Sequence, residues 1–262
     1  MHWMPVTSGP IDFLELFSGS ARLSQVAAVS GLRVGTPVDF RTGFDLGRPA
    51  DRARVMSIIE KQKPMFIFMA VDCSAWSIMQ NANDPEYWIA KQRKAMPIVQ
   101  FCAAIARYQI DHKRFFVIEN PATSGLWYTR PFSHLMNYHQ SVTWDTLNMC
   151  AFGMRDPNGY YYYKPTSLMH NLDPKIMKPV FKRCPNLKKP GDVRAPKPRH
   201  YHEPLEGSAS GHGSRTKLAQ IYPYRFCQTL VDALVPLGNS RVLIRVHHCC
   251  VLTFSLICPC RS

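Results

Sequence analysis

Four short stretches hold the residue types that chemistry needs, and each one follows an apolar run. Phe17-Ser18-Gly19-Ser20-Ala21 follows the run beginning at Ile11, and Gly19 lets the backbone turn tightly and come close to a ligand. Asp39 ends the run Leu32 to Val38, a place where a carboxylate can accept hydrogen bonds from ribose hydroxyls. Gly43-Phe44-Asp45 adds a second acid soon after. Asp72-Cys73-Ser74-Ala75-Trp76-Ser77 follows Pro64 to Ala70 and offers a thiol. Glu119-Asn120-Pro121 closes the run from Arg114 and offers a carboxylate beside an amide. Taken singly, each has a plain reading: a glycine in a turn, a cysteine used as a small buried hydrophobe, a glutamate that caps a loop. Their order along the chain joins them.

The elements that must position these stretches follow from periodicity. Ala21 to Ser30 reads as a helix closed by Gly31, and Ala50 to Gln62 as a second with Val55, Ile58 and Ile59 on one face. Pro64 to Ala70 is almost continuously apolar, as in a parallel strand buried on both faces. A long helical region, Pro85 to Gln109, precedes the strand Arg114 to Glu119. Strand and helix alternate, which predicts an α/β fold with a doubly wound, mainly parallel sheet over residues 11–145. In such sheets ligands bind outside the carboxyl ends of the strands, where all four stretches fall.

After Trp144 the texture changes. Residues 155–200 hold eight prolines, and Arg155 to Arg199 holds eleven Lys or Arg against three acids. Tyr160 to Tyr163 predicts an exposed hairpin strand after the turn Asp156-Pro157-Asn158-Gly159. This predicts a small, basic, Pro-rich lobe over 146–213, with a flexible linker at Gly207 to Gly213. Residues 214–237 return to helical periodicity. The tail 238–262 is apolar and has no acidic residue, and reads as translated non-coding sequence of doubtful structure. Its His247, His248, Cys249, Cys250, Cys258 and Cys260 lack the ligand spacing of ordinary zinc modules. No metal site is assigned anywhere in the chain.

Composition bounds the partners. The chain has 262 residues, 46% of them apolar and 19% charged, enough for a full core. Lys and Arg number 32 against 18 Asp and Glu, a formal net charge of +14. That excess points to a polyanionic partner, nucleic acid before a membrane surface. No apolar run reaches the roughly 18 residues of a transmembrane helix, and the start carries no secretory pattern. Five of the nine cysteines are scattered along the chain, which suits a reducing compartment. The expectation is an intracellular protein, nuclear before cytoplasmic.

The order of the motifs resembles the S-adenosyl-L-methionine-dependent DNA cytosine-5 methyltransferases. That family opens with a strand and an F-x-G-x-G loop, matched by Phe17 to Ala21 with Ala21 at the last glycine. Its P-C-Q-P-F-S loop is matched by Asp72 to Ser77, its E-N-V by Glu119-Asn120-Pro121, and its Q-x-G-N-x-x-P loosely by Gln220-Ile221-Tyr222-Pro223. The resemblance spans about residues 11 to 235. Cys150-Ala151-Phe152-Gly153, Lys164-Pro165-Thr166 and Asn171 are similar to divergent phage-type members. Asn120 to Ser124 and Arg215-Thr216-Lys217 are similar to methyltransferase-like domains of protist retroelement-type polyproteins.

The resemblance implies a Rossmann-like catalytic domain that uses S-adenosylmethionine on nucleic acid, DNA before RNA. Cys73 would be the nucleophile that adds to cytosine, and Glu119 would hydrogen-bond the ring. Phe17, Ser18, Gly19, Ser20, Asp39, Asp45 and Tyr222 would face the cofactor. Ser77, Asn120, Lys164, Thr166 and Arg215 would face the substrate. The sequence departs from the family at Asp72, which stands where the family has proline, and a carboxylate beside a thiol raises its pKa. The family's Gln-x-Arg-x-Arg motif has no clear match, and Lys164 and Thr166 stand there instead. Two other readings remain open. One is a methyltransferase-like module that binds nucleic acid without turnover. The other is an amino-methyltransferase, suggested by the Asn120-Pro121 step.

Overall fold

The computed structural model describes residues 4–77, 84–184, 200–205, 207–209 and 211–251, with side chains up to residue 238. A five-stranded sheet runs in the order β1 (Phe13–Leu16), β2 (Phe66–Ala70), β3 (Phe115–Pro121), β6 (Pro165–His170) and β4 (Thr143–Asn148). β1, β2 and β3 are mutually parallel. β6 is antiparallel to both of its neighbours, so β4 points the same way as β3. The sheet is therefore mainly parallel, with one reversed strand inserted near its edge. β4 contains Trp144 and β6 lies beyond it, next to and inside the stretch read as a separate lobe. They complete the central sheet instead.

Helices cover both faces. Phe13, Phe66, Phe68, Val117 and Leu168 build one core with residues of α1 (Arg22–Val29) and α7 (Tyr224–Val251). The alternate residues Leu14, Leu16, Ile67, Met69, Phe116, Ile118 and Met169 build the other. That core lies under α2 (Pro49–Gln62), α3 (Pro85–Asp111) and α4 (Arg130–Tyr138). Strands flanked on both sides are nearly all apolar, and β1 and most of β2 are wholly buried, with Glu15 the one polar side chain among them.

Several expectations need correction. Leu32 to Val38 makes only isolated parallel bridges, from Val34 to Phe13 and from Val38 to Leu16. Gly31, Gly35 and Pro37 interrupt what would be a regular edge strand. Tyr161–Tyr162 is a short strand, β5, reached through an antiparallel bridge from Arg155, but Tyr162 is buried rather than exposed. It pairs in parallel with β7 (His202–Glu203). Within the stretch read as a linker, β8 (Ser208–Ala209) pairs with β9 (Gly213–Ser214). The region from Ser214 is two helices, α6 (Arg215–Leu218) and α7, split by a turn that ends at Pro223. α7 continues to Val251, into the segment read as a doubtful tail. The tail's remaining residues and its His and Cys side chains lie outside the described residues.

The unit that positions the first loop is β1–α1. Three alternating residues of that loop are left-handed: Phe17 (φ 59), Gly19 (φ 52) and Ala21 (φ 51). Ala21 precedes α1 and cannot cap it with a side chain. The cap comes from β1 instead. Glu15 Oε2 accepts hydrogen bonds from the Ser24 backbone N–H (2.9 Å) and from Ser24 Oγ (2.5 Å). A carboxylate at a helix N-terminus satisfies an orphan donor and complements the helix dipole. Burial pushes the Glu15 carboxyl up from 4.5 to about 7, against the lowering effect of the Ser24 bonds.

Two outcomes follow from this unit. Ala21→Gly removes a left-handed penalty of about 1–2 kcal/mol, partly offset by added freedom in the unfolded chain. Its urea midpoint is expected above that of the wild type, and a lower midpoint would contradict the strained turn. Because the folded protein keeps a proton on Glu15 that the unfolded chain releases, stability falls as pH rises from 4.5 to about 7 and levels off above that. Glu15→Gln is expected to flatten this fall and to melt higher than wild type at pH 8, read by thermal denaturation across pH.

Candidate active site

Because β1, β2 and β3 are parallel and in register, the segments leaving their carboxyl ends emerge along one edge. Gly19, Cys73 and Glu119 all sit there. Asp39 reaches the same edge through the bridge from Val38 to Leu16. Its Oδ2 accepts from the Gly19 backbone N–H at 2.9 Å and its Oδ1 from Arg41 N–H at 3.0 Å. Phe17 and Ser18 donate backbone N–H groups to the Val38 carbonyl (2.7 and 3.4 Å). Asp39 thus clamps the glycine turn and still keeps lone pairs on both oxygens. Ser18 is buried, Phe17 is half-buried and Ser20 is exposed.

The Cys73 loop is built from β3. Asn120, fully buried, donates its Nδ2 to the Val71 carbonyl at 2.6 Å. Gly125 N–H reaches the Trp76 carbonyl (2.8 Å), and Trp76 N–H reaches the Cys73 carbonyl (2.9 Å). Asp72 adds a local turn, accepting from Ser74 N–H at 2.9 Å and Ser74 Oγ at 2.8 Å. Asp72 therefore shapes the turn that proline would otherwise stiffen. Asn120, expected to face substrate, holds the loop that carries the thiol.

Glu119 stands on β3 opposite Ala70 of β2, three residues before Cys73. Tyr222 donates its hydroxyl to Glu119 Oε2 at 2.9 Å, across 103 positions of sequence. The Tyr222 ring sits edge-on to Phe68 and against Phe226. Its backbone carbonyl accepts from Arg22 at 2.7 Å. Tyr222, expected at the cofactor, is thus tied to the proposed acid. Lys164 Nζ donates to the Ala219 carbonyl at 3.1 Å and lies 5.9 Å from the Tyr222 ring centre. Pairing of Pro121 with Thr166 and of Glu119 with Leu168 puts Glu119 and Thr166 on one face of the sheet.

The electrostatics are those of a protonated pair held near a cation. Burial raises the Cys73 thiol above its ordinary value, Asp72 and Glu119 raise it further, and Lys164 opposes them. The Tyr222 phenol is raised by burial and by the charge of Glu119, so it stays a donor. Glu119 Oε1, Asn120 Oδ1, Thr166 Oγ1 and Trp76 Nε1 are buried with no hydrogen-bond partner among the described residues. A buried polar atom left unpaired costs about 1–3 kcal/mol, and Glu119 Oε1 and Thr166 Oγ1, on one face of the sheet, call for an explanation in what binds there.

The other expected residues have partners or positions of their own. Asp45 is engaged in its own loop, accepting from Gly47 N–H (3.0 Å) and pairing with Arg48 (3.2 Å). Arg215 pairs with Glu203 at 3.3 Å and donates to the Pro204 carbonyl. Ser77 is half-buried after the Cys73 turn. Two features escaped the sequence. Phe40, next to Asp39, is 80% exposed; a large aromatic directly after a strand-end acid was the available signal. Cys150, Cys184, His200 and His202 come together, although 34 positions separate the cysteines and no spacing rule joins them.

No family model matches the sequence, and no curated protein matches it. Among solved structures, the chain is similar to an Entamoeba histolytica methyltransferase at 12% identity and a TM-score of 0.41, over 63% of this chain and 54% of that one. It is also similar to a variant of Spodoptera frugiperda DNMT2 at 14% identity and a TM-score of 0.31, over 74% of this chain and 57% of the other. The chain thus spans little more than half the length of either protein.

Proposed function

We propose that this protein is an S-adenosylmethionine-dependent methyltransferase that acts on carbon 5 of cytosine in nucleic acid, DNA before RNA, through a covalent adduct to Cys73. The observation that carries this reading is the pairing of Cys73 with Glu119 at the ends of adjacent parallel strands. One Glu119 oxygen is held by Tyr222, and the other is buried without a partner among the described residues. The resemblance of the motif order adds to it.

The chemistry follows from the groups present. Carbon 5 of cytosine is a weak nucleophile. Addition of the Cys73 thiolate to the neighbouring ring carbon, with a proton taken up at the ring nitrogen, converts the ring to an enamine whose carbon 5 can attack a methyl donor; loss of the carbon 5 proton then expels the Cys73 sulfur and restores the ring. Glu119 Oε1 is the acceptor for the exocyclic amine or a protonated ring nitrogen, with Tyr222 fixing the carboxylate. Thr166 Oγ1, on the same face, supplies a further polar contact. A buried site of this kind needs the base outside the helix stack. The residues that would hold the donor lie at the neighbouring loop: Asp39 would accept from ribose hydroxyls, Gly19 would permit close approach, and the exposed Phe40 ring would pack on the adenine. Bound S-adenosylmethionine supplies the methyl group. The excess of basic residues in 155–199 suits phosphate contact more than base reading.

The raised Cys73 thiol favours a second reading, a module that binds nucleic acid without turnover. Incubation with S-adenosylmethionine and DNA containing 5-fluorocytosine separates the two. A trapped protein–DNA adduct that is lost in Cys73→Ser is expected for the enzyme, and no adduct for the module. Methylation at the wild-type rate by Cys73→Ser would overturn the cytosine-5 mechanism and favour methyl transfer to an exocyclic amine. Asp72→Asn keeps an acceptor for Ser74 and removes the charge. It is expected to raise alkylation of Cys73 by iodoacetamide at neutral pH by roughly 3–10-fold, since thiolate fraction changes tenfold per pKa unit.

A further inference from the structure

We propose that Cys150, Cys184, His200 and His202 form a structural zinc site that closes the base of the basic segment 185–199. Each residue offers one ligand atom, and all four atoms lie within 4.8 Å of one another. Cys184 Sγ is 3.6 Å from His200 Nε2 and 3.5 Å from His202 Nε2, and the two Nε2 atoms are 3.0 Å apart. With zinc–sulfur bonds of about 2.3 Å and zinc–nitrogen bonds of about 2.0–2.1 Å, a tetrahedron has sulfur–nitrogen edges of about 3.6 Å and a nitrogen–nitrogen edge of about 3.3 Å. The observed edges lie close to these. Two thiolates and two imidazoles are a donor set suited to zinc, and four protein ligands leave no open position, as in structural rather than catalytic sites.

The fold builds the site from separate elements. Cys150 lies in the turn Met149–Phe152, just after β4. Asn148, at the end of β4, accepts from Cys184 N–H with its side chain (2.8 Å) and donates its own N–H to the Lys182 carbonyl (2.9 Å). These bonds set the two buried cysteines beside each other. His202 stands on β7, paired with Tyr161 of β5. The Tyr161 ring stacks on His200 at 4.2 Å, and Tyr163 lies against His202 at 5.3 Å. Two isolated buried cysteines would read as small hydrophobes. Two imidazole nitrogens turned onto one of their sulfurs give the cluster a ligand set instead.

The consequence is mechanical. Cys184 and His200 are the residues on either side of 185–199, a stretch with five Lys or Arg and one acid. Holding its ends together carries a loop-closure entropy cost, and the metal bonds would offset it. The zinc would also fix this basic segment to the end of β4 and so to the central sheet.

The test uses the full chain purified under reducing conditions. Elemental analysis is expected to give about one zinc per chain. Cobalt exchanged for it should show the strong visible bands of a tetrahedral site and a thiolate-to-cobalt charge-transfer band. Cys184→Ser and His202→Ala should each lose the stoichiometry and the charge-transfer intensity or tetrahedral bands, whereas Cys73→Ser should keep all of them. A folded wild type without bound zinc, a cobalt form without thiolate charge transfer, or iron in place of zinc would overturn the proposal. Full metal retention in both ligand variants would do the same. Should those variants fail to fold, the cobalt spectrum of the wild type decides alone.

Discussion

The hydrogen bond from Tyr222 to Glu119 joins the segment before α7 to the central sheet. It ties a residue near the end of the described chain to the middle strand of the sheet. Tyr222 can reach Glu119 because Arg22 of α1 grips its carbonyl and Lys164 holds the neighbouring Ala219 carbonyl. Phe226, four residues on, packs into the core shared by α1 and the sheet. Loss of this bond would leave a buried carboxylate and a buried phenol without partners, each costing about 1–3 kcal/mol or more. The segment at 219–226 is therefore packed into the central sheet, not an appendage to it.

The site gathers more negative charge than its surroundings readily support. Glu15, Asp72 and Glu119 lie near one edge of the sheet, and Cys73 would add a fourth charge on ionising. Burial and, to a lesser degree, Asp39 push Glu15 toward its protonated form, and burial, Asp72 and Glu119 do the same at Cys73. Lys164 is the cation set against this field at Cys73. A substrate that brings hydrogen-bond donors to Glu119 would lower the cost of ionising Cys73, because it would neutralise part of the carboxylate's effect. Binding and activation of the nucleophile would then be coupled in this reading.

The basic region is built differently from the core. Apart from β6 and the short helix α5 (Pro174–Met177), the regular structure among its described residues consists of two-residue strands, β5 with β7 and β8 with β9, too short to be stable alone. Side-chain clusters do the holding. Tyr162 is buried against the main core, Arg215 pairs with Glu203, and the Cys and His cluster joins β4, Cys184 and β7.

The local pattern of the first half of the chain was legible from residue order. Apolar runs of four to seven residues, amphipathic helices between them and chemistry-bearing residues just after them gave the parallel strands, their ends and the pairing of Cys73 with Glu119. Those features are local, since side-chain periodicity and turn residues act over a few positions. The partners of those residues were not legible, because they are set by contacts far apart in sequence. Residue order did not show that Asn120 serves the Cys73 loop, that Glu15 caps α1, or that Tyr222 binds Glu119. It hid β6 as well, an antiparallel strand amid prolines and basic residues whose pairing with β3 exists only once the chain folds back. The same holds for Cys150, Cys184, His200 and His202, whose 52-residue span becomes one cluster only through the Asn148 bonds and the pairing of β5 with β7.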